Sequence, residues 1–344
     1  MGDQIPDVSV VMPVYGGGKY LRDAVCSILR QSFLSLELIV VDDGSPESVD
    51  RHLKAFRDGR VRFVRLEQNG GYGRAMQAGV ALARGRYIAR ADSDDLSHRK
   101  RIESEVEFLE TNIWAAFVGT RRWMISPHGR RLGTTRWPEG AGPWIEITWD
   151  SLMQGERLFA DASVIVKRAA IDEVGGWRDY QRTGMDVDLW LRLLEKGFRG
   201  AVLRTPLYFR RLHPEGLIFS ENTSVKNQLI RELARERALV GTDAVMRGEA
   251  INPVAQECKS CWEIRRRQGA FAWSIGAQCL EEADFCGGFE FAKAAIVRGG
   301  LAGVLTRGPL RFVRAFGRGA RRVVQARTRG RGQWYEIMAG KSLP

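Results

Sequence analysis

The sequence predicts an α/β fold, with a parallel sheet flanked by helices on both faces and a basic C-terminal extension. Through the first 90 residues, short apolar strands alternate with helical segments, a pattern typical of βαβ units. The formal net charge of +12 is concentrated at the C-terminus, because residues 291–344 contain twelve Lys and Arg and one acidic residue. Residues 1–290 contain 41 basic and 40 acidic residues, so the predicted sheet belongs to a nearly neutral body.

The elements follow from hydrophobic periodicity. Apolar, β-branched runs predict strands at 7–14, 36–41, 61–66 and 86–91, and the later run 162–166 predicts another. Apolar residues at a helical period predict helices at 19–31, 47–56 and 76–83, a helical turn at 169–174 and a short helix at 189–194. Residues 225–239 and 261–282 also have a helical pattern. Function is expected beyond the carboxyl ends of the parallel strands.

Composition limits the class of protein. With 344 residues, 44% hydrophobic and 27% charged, the chain is expected to form about two globular domains and not a disordered or multi-span membrane protein. The N-terminus lacks the basic region of a signal peptide, so a cytoplasmic location is expected, with reduced cysteines. Cys258 and Cys261 form a C-x-x-C pair, but Cys279 and Cys286 do not repeat its spacing, which disfavours a zinc ribbon.

Carboxylates follow two of the predicted strands. Asp42 and Asp43 end one strand, and Asp92, Asp94 and Asp95 follow another. Clustered carboxylates need a compensating cation or hydrogen-bond donors, which a divalent metal or sugar-nucleotide hydroxyl groups would supply. The alternative is that each Asp caps the following helix. Capping does not easily account for five carboxylates at two strand ends.

A further acidic pair lies at the start of the helix predicted at 189–194. Asp188 is expected to act as a helix cap, because an acidic residue in a first turn is favoured by the helix dipole. Asp186 is expected just before the helix, where it can face a cleft.

Several motifs recur in order along residues 8–219. They are Pro13-Val14-Tyr15 with Gly16 in place of the usual Asn, Val41 to Ser45, Asn69-Gly70-Gly71, Asp92 to Asp95, Asp186 to Trp190 with Met185 in place of the usual Glu, and Arg211-Leu212-His213. In these motifs the sequence resembles glycosyltransferase family 2, bacterial non-processive type. The resemblance implies the GT-A fold of nucleotide-diphospho-sugar transferases, a Rossmann-like mixed sheet flanked by helices, over residues 1–221. Residues 222–344 are then a mostly helical extension.

The resemblance implies a role for each motif residue. Asp186 would be the general base and Asp94 would hold Mn²⁺ or Mg²⁺, with His213 as a second metal ligand. Donor-binding residues would be Pro13, Tyr15, Asp42, Asp43, Asn69, Arg74, Asp92 and Ser93. Two of these assignments have an equally common alternative, because Arg74 reads as an exposed residue at a helix start and His213 as a loop residue.

The implied reaction is the inverting, metal-dependent transfer of a single sugar from a nucleotide-diphosphate sugar, with UDP-sugar expected. The expected acceptor is a hydroxyl of a cell-surface glycan or a lipid-linked acceptor. Two alternatives stay open: transfer to polyprenyl phosphate, and a non-catalytic scaffold that only binds nucleotide sugar. Intact Asp92, Asp94 and Asp186 argue against the scaffold.

The basic tail has its own interpretation. Residues 307–325 place apolar side chains on one side of a helical wheel and arginines on an adjacent arc. This pattern favours peripheral contact with an anionic membrane, at the inner face of the plasma membrane. The alternative is a helix packed on the protein with solvated arginines. Nucleic-acid binding is not expected, because the tail shows no recognisable nucleic-acid fold and the body is nearly neutral.

Overall fold

The structure is a computed structural model that describes residues 5–16, 18–54, 56–155, 158–180, 184–216, 223–249, 261–282, 284–304, 308–309, 311–316 and 318. Side chains are described in these ranges except at 223–227, 261–267 and 298–304. The chain forms two compact units, each made of several stretches. Unit 1 comprises Met1–Arg122, Thr135–Phe209 and Thr223–Pro253; unit 2 comprises Trp123–Thr134, Arg210–Asn222 and Val254–Pro344. The domain boundary between residues 221 and 222 stays a prediction.

Unit 1 begins with the βαβ alternation that the sequence predicts. Its first elements are β1 (Val8–Val14), α1 (Leu21–Leu29), β2 (Leu36–Asp42), α2 (Asp50–Leu53), β3 (Val61–Arg65), α3 (Tyr72–Leu82) and β4 (Tyr87–Arg90). The following elements are β5 (Leu96–Ser97), α4 (Arg101–Thr111), β6 (Ala115–Ile125), β7 (Arg131–Thr134), β8 (Trp144–Ile147) and α5 (Trp149–Gln154). Then come β9 (Ile165–Lys167), α6 (Arg168–Glu173), α7 (Met185–Glu195), β10 (Arg199–Arg211) and α8 (Thr223–Val240).

The sheet is mixed, with the strand order β3-β2-β1-β4-β9-β6-β10-β5. Strands β1 to β4 pair in parallel with one another, whereas β9 pairs antiparallel with both β4 and β6. The register pairs Val14 of β1 with Asp42 of β2, and Val11 with Arg90 of β4. The carboxyl ends of β1, β2 and β4 therefore meet at one edge of the sheet.

Helices cover both faces of this sheet. Neighbouring residues of a strand point to opposite faces, so Val10 and Val11 of β1 belong to different cores. The core around Val11 includes Met76 of α3 and Trp190 of α7, whereas the core around Val10 includes Ile102 of α4. The predicted α/β class with a flanked mixed sheet is confirmed.

Helix boundaries differ most clearly from the sequence-based prediction at α2, α3 and α7. The predicted helix 47–56 is shortened to α2, and the predicted helix 76–83 begins earlier, since α3 starts at Tyr72. The earlier start follows Gly71, whose φ of +87° is a conformation that favours glycine and turns the chain into the helix. The strands β6 and β10 and the helix α4 lie in regions where the hydrophobic pattern predicted no element.

Unit 2 contains two long helices, α9 (Cys261–Glu281) and α10 (Phe285–Val304), and the antiparallel pairing of β6 residues 123–125 with β7. Residues 311–316 of the basic tail are helical. Phe312 of this segment is buried, with its ring centroid 5.2 Å from that of Trp273, whereas Val313 is 70% and Phe316 44% exposed. The apolar face that the sequence predicted is thus divided between core and surface. Within 307–325, the structure describes residues 308, 309, 311–316 and 318, and the rest of the predicted face lies outside the described residues.

Within the described ranges, none of the helices combines the length and apolarity needed to span a bilayer. Cys26, Cys279 and Cys286 are free thiols. Cys258 and the side chain of Cys261, which make up the C-x-x-C pair, lie outside the described residues.

Candidate active site

The acidic segment after β4 forms a compact cluster of oxygen atoms. One carboxylate oxygen from each of Asp92, Asp94 and Asp95 lies within 4.8 Å of the others. Asp95 is buried, whereas Asp92, Ser93 and Asp94 are half-buried at the edge of the sheet. Three carboxylates at this separation fit a hard divalent cation such as Mn²⁺ or Mg²⁺, which takes oxygen ligands.

The two carboxylates at the end of β2 are buried and engaged by backbone amides. Asp42 accepts from Ser45 N–H at 2.9 Å, and Asp43 accepts from the N–H groups of Gly70 and Gly71 at 2.8 and 2.9 Å. Asp43 thereby fixes the glycine turn that leads into α3. These contacts hold backbone turns, and neither residue is the N-cap of α2, the helix that follows β2. Their roles in donor binding stay predictions.

The end of β1 presents an aromatic ring to solvent. Tyr15 is 55% exposed, directly after the strand that contains Pro13. The next turn is fixed by Gly16 N–H, which donates to Ser45 Oγ at 3.0 Å. An exposed ring beside buried strand ends is suited to stacking on a planar ligand.

The segment before α3 supplies two further residues that the resemblance implied. Asn69 Oδ1 is buried and has no hydrogen-bond donor among the described residues. Arg74 is exposed and its stem crosses Gly70, where an added Cβ would lie 2.2 Å from Arg74 Cδ. Both residues border the turn held by Asp43, so the structure brings them to the same edge as Asp42.

Asp186 lies in the first turn of α7, and the expectation that it precedes the helix is wrong. Gly184, with φ of +85°, is the N-cap and starts the helix at Met185. Asp186 is 8% exposed, and its Oδ1 accepts from Tyr72 Oη at 3.0 Å and from Trp177 Nε1 at 2.9 Å. Met185, which stands where the family pattern has Glu, is buried in the core, and its thioether side chain adds no charge beside Asp186.

Arg90, the last residue of β4, was not anticipated as a site residue. Its Nη2 lies 2.8 Å from Asp92 Oδ1, and its Nη1 lies 3.1 Å from Asp186 Oδ2. The guanidinium therefore joins the acidic cluster to Asp186. A charged side chain in the otherwise apolar segment Tyr87–Arg90 was the sequence signal that could have revealed it, since Arg is rarely buried without a partner.

The electrostatics of Asp186 are unusual for an aspartate. Burial raises the pKa of Asp186 from 3.8 to about 6, and the negative charges of Asp161 and Asp92 add to this effect. The positive charge of Arg90 opposes it. Burial also raises the pKa of Tyr72, so its hydroxyl stays protonated and donates to Asp186. Near neutral pH Asp186 is mostly ionised yet has appreciable proton affinity, as a general base requires.

Asp161 and the nearby tryptophans complete the surroundings. Asp161 lies in a 3-10 turn, and its Oδ1 accepts from Trp190 Nε1 at 3.2 Å. Trp177 and Trp190 are fully buried, which agrees with a core role for both rings.

His213 follows β10 in unit 2 and is buried. Its role as a metal ligand stays a prediction.

Comparison with known proteins shows the family. The family model described as glycosyl transferase family 2 matches residues 9–175. EpsE of Bacillus subtilis (strain 168), named as a glycosyltransferase, is 32% identical over 208 residues, covering 59% of this chain and 72% of that protein. TuaG of the same organism, named for teichuronic acid biosynthesis, is 31% identical over 196 residues, covering 56% of this chain and 74% of that protein.

The fold also occurs in a solved structure. The crystal structure of S. aureus TarS 1–349 in complex with UDP-GlcNAc superimposes with a TM-score of 0.55 and 14% identity, covering 93% of this chain and 92% of that chain. The mixed sheet flanked by helices thus has the GT-A fold. The chain belongs to glycosyltransferase family 2 and is a glycosyltransferase.

Proposed function

We propose that the protein is an inverting, divalent-metal-dependent glycosyltransferase that moves one sugar from a UDP-sugar to a hydroxyl group of a cell-surface glycan or lipid-linked acceptor. The observation that carries this proposal is the buried carboxylate of Asp186, joined through Arg90 to the acidic cluster of Asp92, Asp94 and Asp95. A general base and a candidate diphosphate-binding edge are thereby adjacent in unit 1.

In the proposed reaction, Asp186 accepts the proton of the acceptor hydroxyl as its oxygen attacks the anomeric carbon. The new glycosidic bond forms while the bond from the anomeric carbon to the diphosphate breaks, and the nucleoside diphosphate leaves with both bonding electrons. A single displacement inverts the anomeric configuration. The pKa of about 6 at Asp186 suits this role, because the carboxylate is available at neutral pH and still binds a proton in the transition state.

Asp94 would hold Mn²⁺ or Mg²⁺, with His213 as the second ligand that the family resemblance implies. The bound cation would neutralise negative charge on the diphosphate leaving group. Tyr15 would stack on the nucleobase, and Pro13, Asp42, Asp43, Asn69, Arg74, Asp92 and Ser93 would complete the donor site. The TarS structure contains UDP-GlcNAc, which supports a UDP-sugar as the first donor to test.

The acceptor proposal has a separate basis. The relative TuaG is named for teichuronic acid biosynthesis, which supports a surface polysaccharide as the product class. Product analysis with a glycan acceptor and with polyprenyl phosphate separates the two acceptor classes. Formation of a sugar-phosphate linkage would contradict transfer to a hydroxyl group.

The decisive experiment measures UDP release and product formation from a panel of UDP-sugars, with and without Mn²⁺. Asp186→Asn and Asp94→Ala should each lower turnover by about 10² or more, the usual contribution of a general base or of a metal that stabilises the leaving group. Asp172→Asn is the matched control, because Asp172 is an exposed residue of α6 in the same unit. Turnover that persists in both site variants would refute the enzymatic assignment.

Anomeric inversion is tested on the same product. Proton NMR should show a β-linked product from an α-linked donor. Retention of configuration would require a second nucleophile and would contradict the single-displacement proposal.

We also propose peripheral contact of the basic tail with the anionic inner face of the plasma membrane, with the enzyme otherwise cytoplasmic. Arg311, Val313, Arg314 and Phe316 are exposed together on the described part of the tail, so cationic and apolar groups share one surface. Truncation after residue 306 should abolish binding to vesicles containing anionic lipid while nucleotide-sugar binding persists. Unchanged vesicle binding would refute the contact.

A further inference from the structure

Arg90 is held from several directions. Its side chain is 3% exposed, and its guanidinium lies over the ring of Tyr72, 4.7 Å from the ring centroid. Its backbone N–H donates to Val164 O at 3.0 Å, and its backbone carbonyl accepts from Arg101 Nη1 at 3.0 Å. Both the strand that carries Arg90 and its side chain are therefore fixed in place.

The same ring connects Arg90 to Asp186 by a second route. Tyr72 contacts the guanidinium with its face and donates its hydroxyl to Asp186 Oδ1 at 3.0 Å, while Arg90 approaches Oδ2 at 3.1 Å. The two oxygens of Asp186 thus have different partners, which fixes the plane of the carboxylate as well as its position.

We propose that Arg90 is a positioning residue that sets the carboxylate of Asp186 relative to Asp92 and thereby couples the proposed base to the donor-side acidic cluster. This inference rests on the proposed function, in which Asp186 is the base and Asp92 contacts the donor. One guanidinium with fixed geometry joins two parts of the site that are 94 residues apart in the sequence. Arg is suited to this task because its planar donors can engage two carboxylates at once.

The charges around Asp186 give the coupling a measurable consequence. Arg90 faces it from β4, Asp92 from the segment after β4, Asp161 from its 3-10 turn, and Tyr72 and Trp177 as neutral donors. Burial, Asp161 and Asp92 raise the pKa of Asp186, whereas Arg90 lowers it. Removing the positive charge of Arg90 should therefore raise the pKa of Asp186, whereas removing the negative charge of Asp92 should lower it.

The test is a ¹³C NMR titration of the full-length protein with aspartate labelled at the side-chain carboxyl carbon, with Asp186 assigned by comparison with Asp186→Asn. Arg90→Met should increase the proton affinity of Asp186 about tenfold or more, because a nearby opposite charge shifts a carboxyl by about one pKa unit or more. Asp92→Asn should decrease that affinity. Arg90→Lys keeps the charge and should stay closer to wild type than Arg90→Met.

Arg86→Met is the matched control, since Arg86 precedes β4 and pairs with Asp7 and Glu110 away from the site. Its Asp186 titration should equal that of wild type. Coincident curves for wild type and Arg90→Met would overturn the proposal. If circular dichroism shows that Arg90→Met does not fold, Asp92→Asn decides, and an unchanged or increased proton affinity of Asp186 in that variant would overturn it.

The titration does not depend on turnover. If Asp186→Asn keeps full transfer activity, the role of Asp186 as base fails. The charge coupling is decided independently, by comparing the Asp186 titration curves of wild type and Arg90→Met. Conversely, an inactive Asp186→Asn variant with coincident titration curves would support the base and remove Arg90 from its positioning role.

Discussion

The hydroxyl of Tyr72 donates a 3.0 Å hydrogen bond to Asp186 Oδ1 across 114 residues of sequence. The bond joins the first residue of α3 to the first turn of α7. Their close approach depends on Gly73, because a Cβ at this position would lie 2.0 Å from the carbonyl oxygen of Arg178. Because Gly73 has no side chain, Tyr72 of α3 can come close enough to orient Asp186, the proposed base.

Tyr72→Phe should move the acidic limb of the pH–rate profile to higher pH. The substitution removes a hydrogen bond to the ionised form of Asp186, so the proton is bound more tightly. The free energy of unfolding should fall by about 1 kcal/mol, the usual net value of one hydrogen bond. Turnover of a UDP-sugar at several pH values and urea unfolding measure the two effects.

Tyr180→Phe serves as the control for that change. The Tyr180 hydroxyl lies 3.4 Å from Asp188 Oδ1, in a neighbouring ionic cluster away from Asp186. The acidic limb of the pH–rate profile of Tyr180→Phe should match that of wild type. An unshifted limb in Tyr72→Phe would contradict the role assigned to that hydrogen bond.

Gly73→Ala should lower both stability and activity. A methyl group cannot occupy the space 2.0 Å from Arg178 O, so α3 must move away from the segment before α7 and Tyr72 must leave Asp186. A loss of about 1–3 kcal/mol in unfolding free energy is expected, as for other overpacking changes. Gly59→Ala is the control, because an added Cβ there meets no atom within 4 Å. Equal thermal stability of the two variants would show that α3 has room to adjust.

The free energy of unfolding of wild type should fall, relative to that of Asp186→Asn, as pH rises from 4 to 7. The pKa of Asp186 is raised from 3.8 in the unfolded chain to about 6 in the folded protein, so the folded state holds the proton more tightly. The associated stabilisation is complete below pH 4 and is lost as pH rises through 6. Its size is about 3 kcal/mol, at 1.36 kcal/mol for each pKa unit.

Urea unfolding of both proteins at half-unit pH intervals measures that difference. Asn does not titrate, so the gap between the two unfolding free energies should widen in favour of Asp186→Asn and level off above pH 7. A constant gap would mean that Asp186 titrates alike in the folded and unfolded states.

Arg237→Met should destabilise unit 1. Arg237 of α8 is almost fully buried. Its Nε lies 2.6 Å from Glu195 Oε2, and its Nη1 lies 2.5 Å from Asp243 Oδ2 and 3.6 Å from Asp188 Oδ1. Removing it leaves buried carboxylates with fewer partners, which typically costs about 3–5 kcal/mol. Arg247→Met is the control, because Arg247 forms more exposed pairs with Glu236 and Glu249. Its melting temperature should stay near wild type, and an equal value for Arg237→Met would contradict the structural role of this cluster.

Much of the site's framework could be predicted from local pattern. The alternating periodicity identified β1 to β4, and the acidic residues after β4 were expected to gather at the end of the sheet. The position of Asp186 was less well predicted, because Gly184 begins α7 at Met185, and the helical pattern of apolar residues does not define the N-cap. Met185 illustrates the same limit: only the packing shows that it is buried in the core.

The α/β class, the family resemblance and the carboxylates that the chemistry needs could all be read from the sequence, since strand periodicity and motif spacing are local properties of the chain. The groups that surround Asp186 became known only from the folded chain. Arg90, Tyr72 and Trp177 come from three separate segments, and the pKa of Asp186 follows from their contacts and from burial. Desolvation and Coulomb interactions depend on distances in space, which no spacing along the sequence specifies.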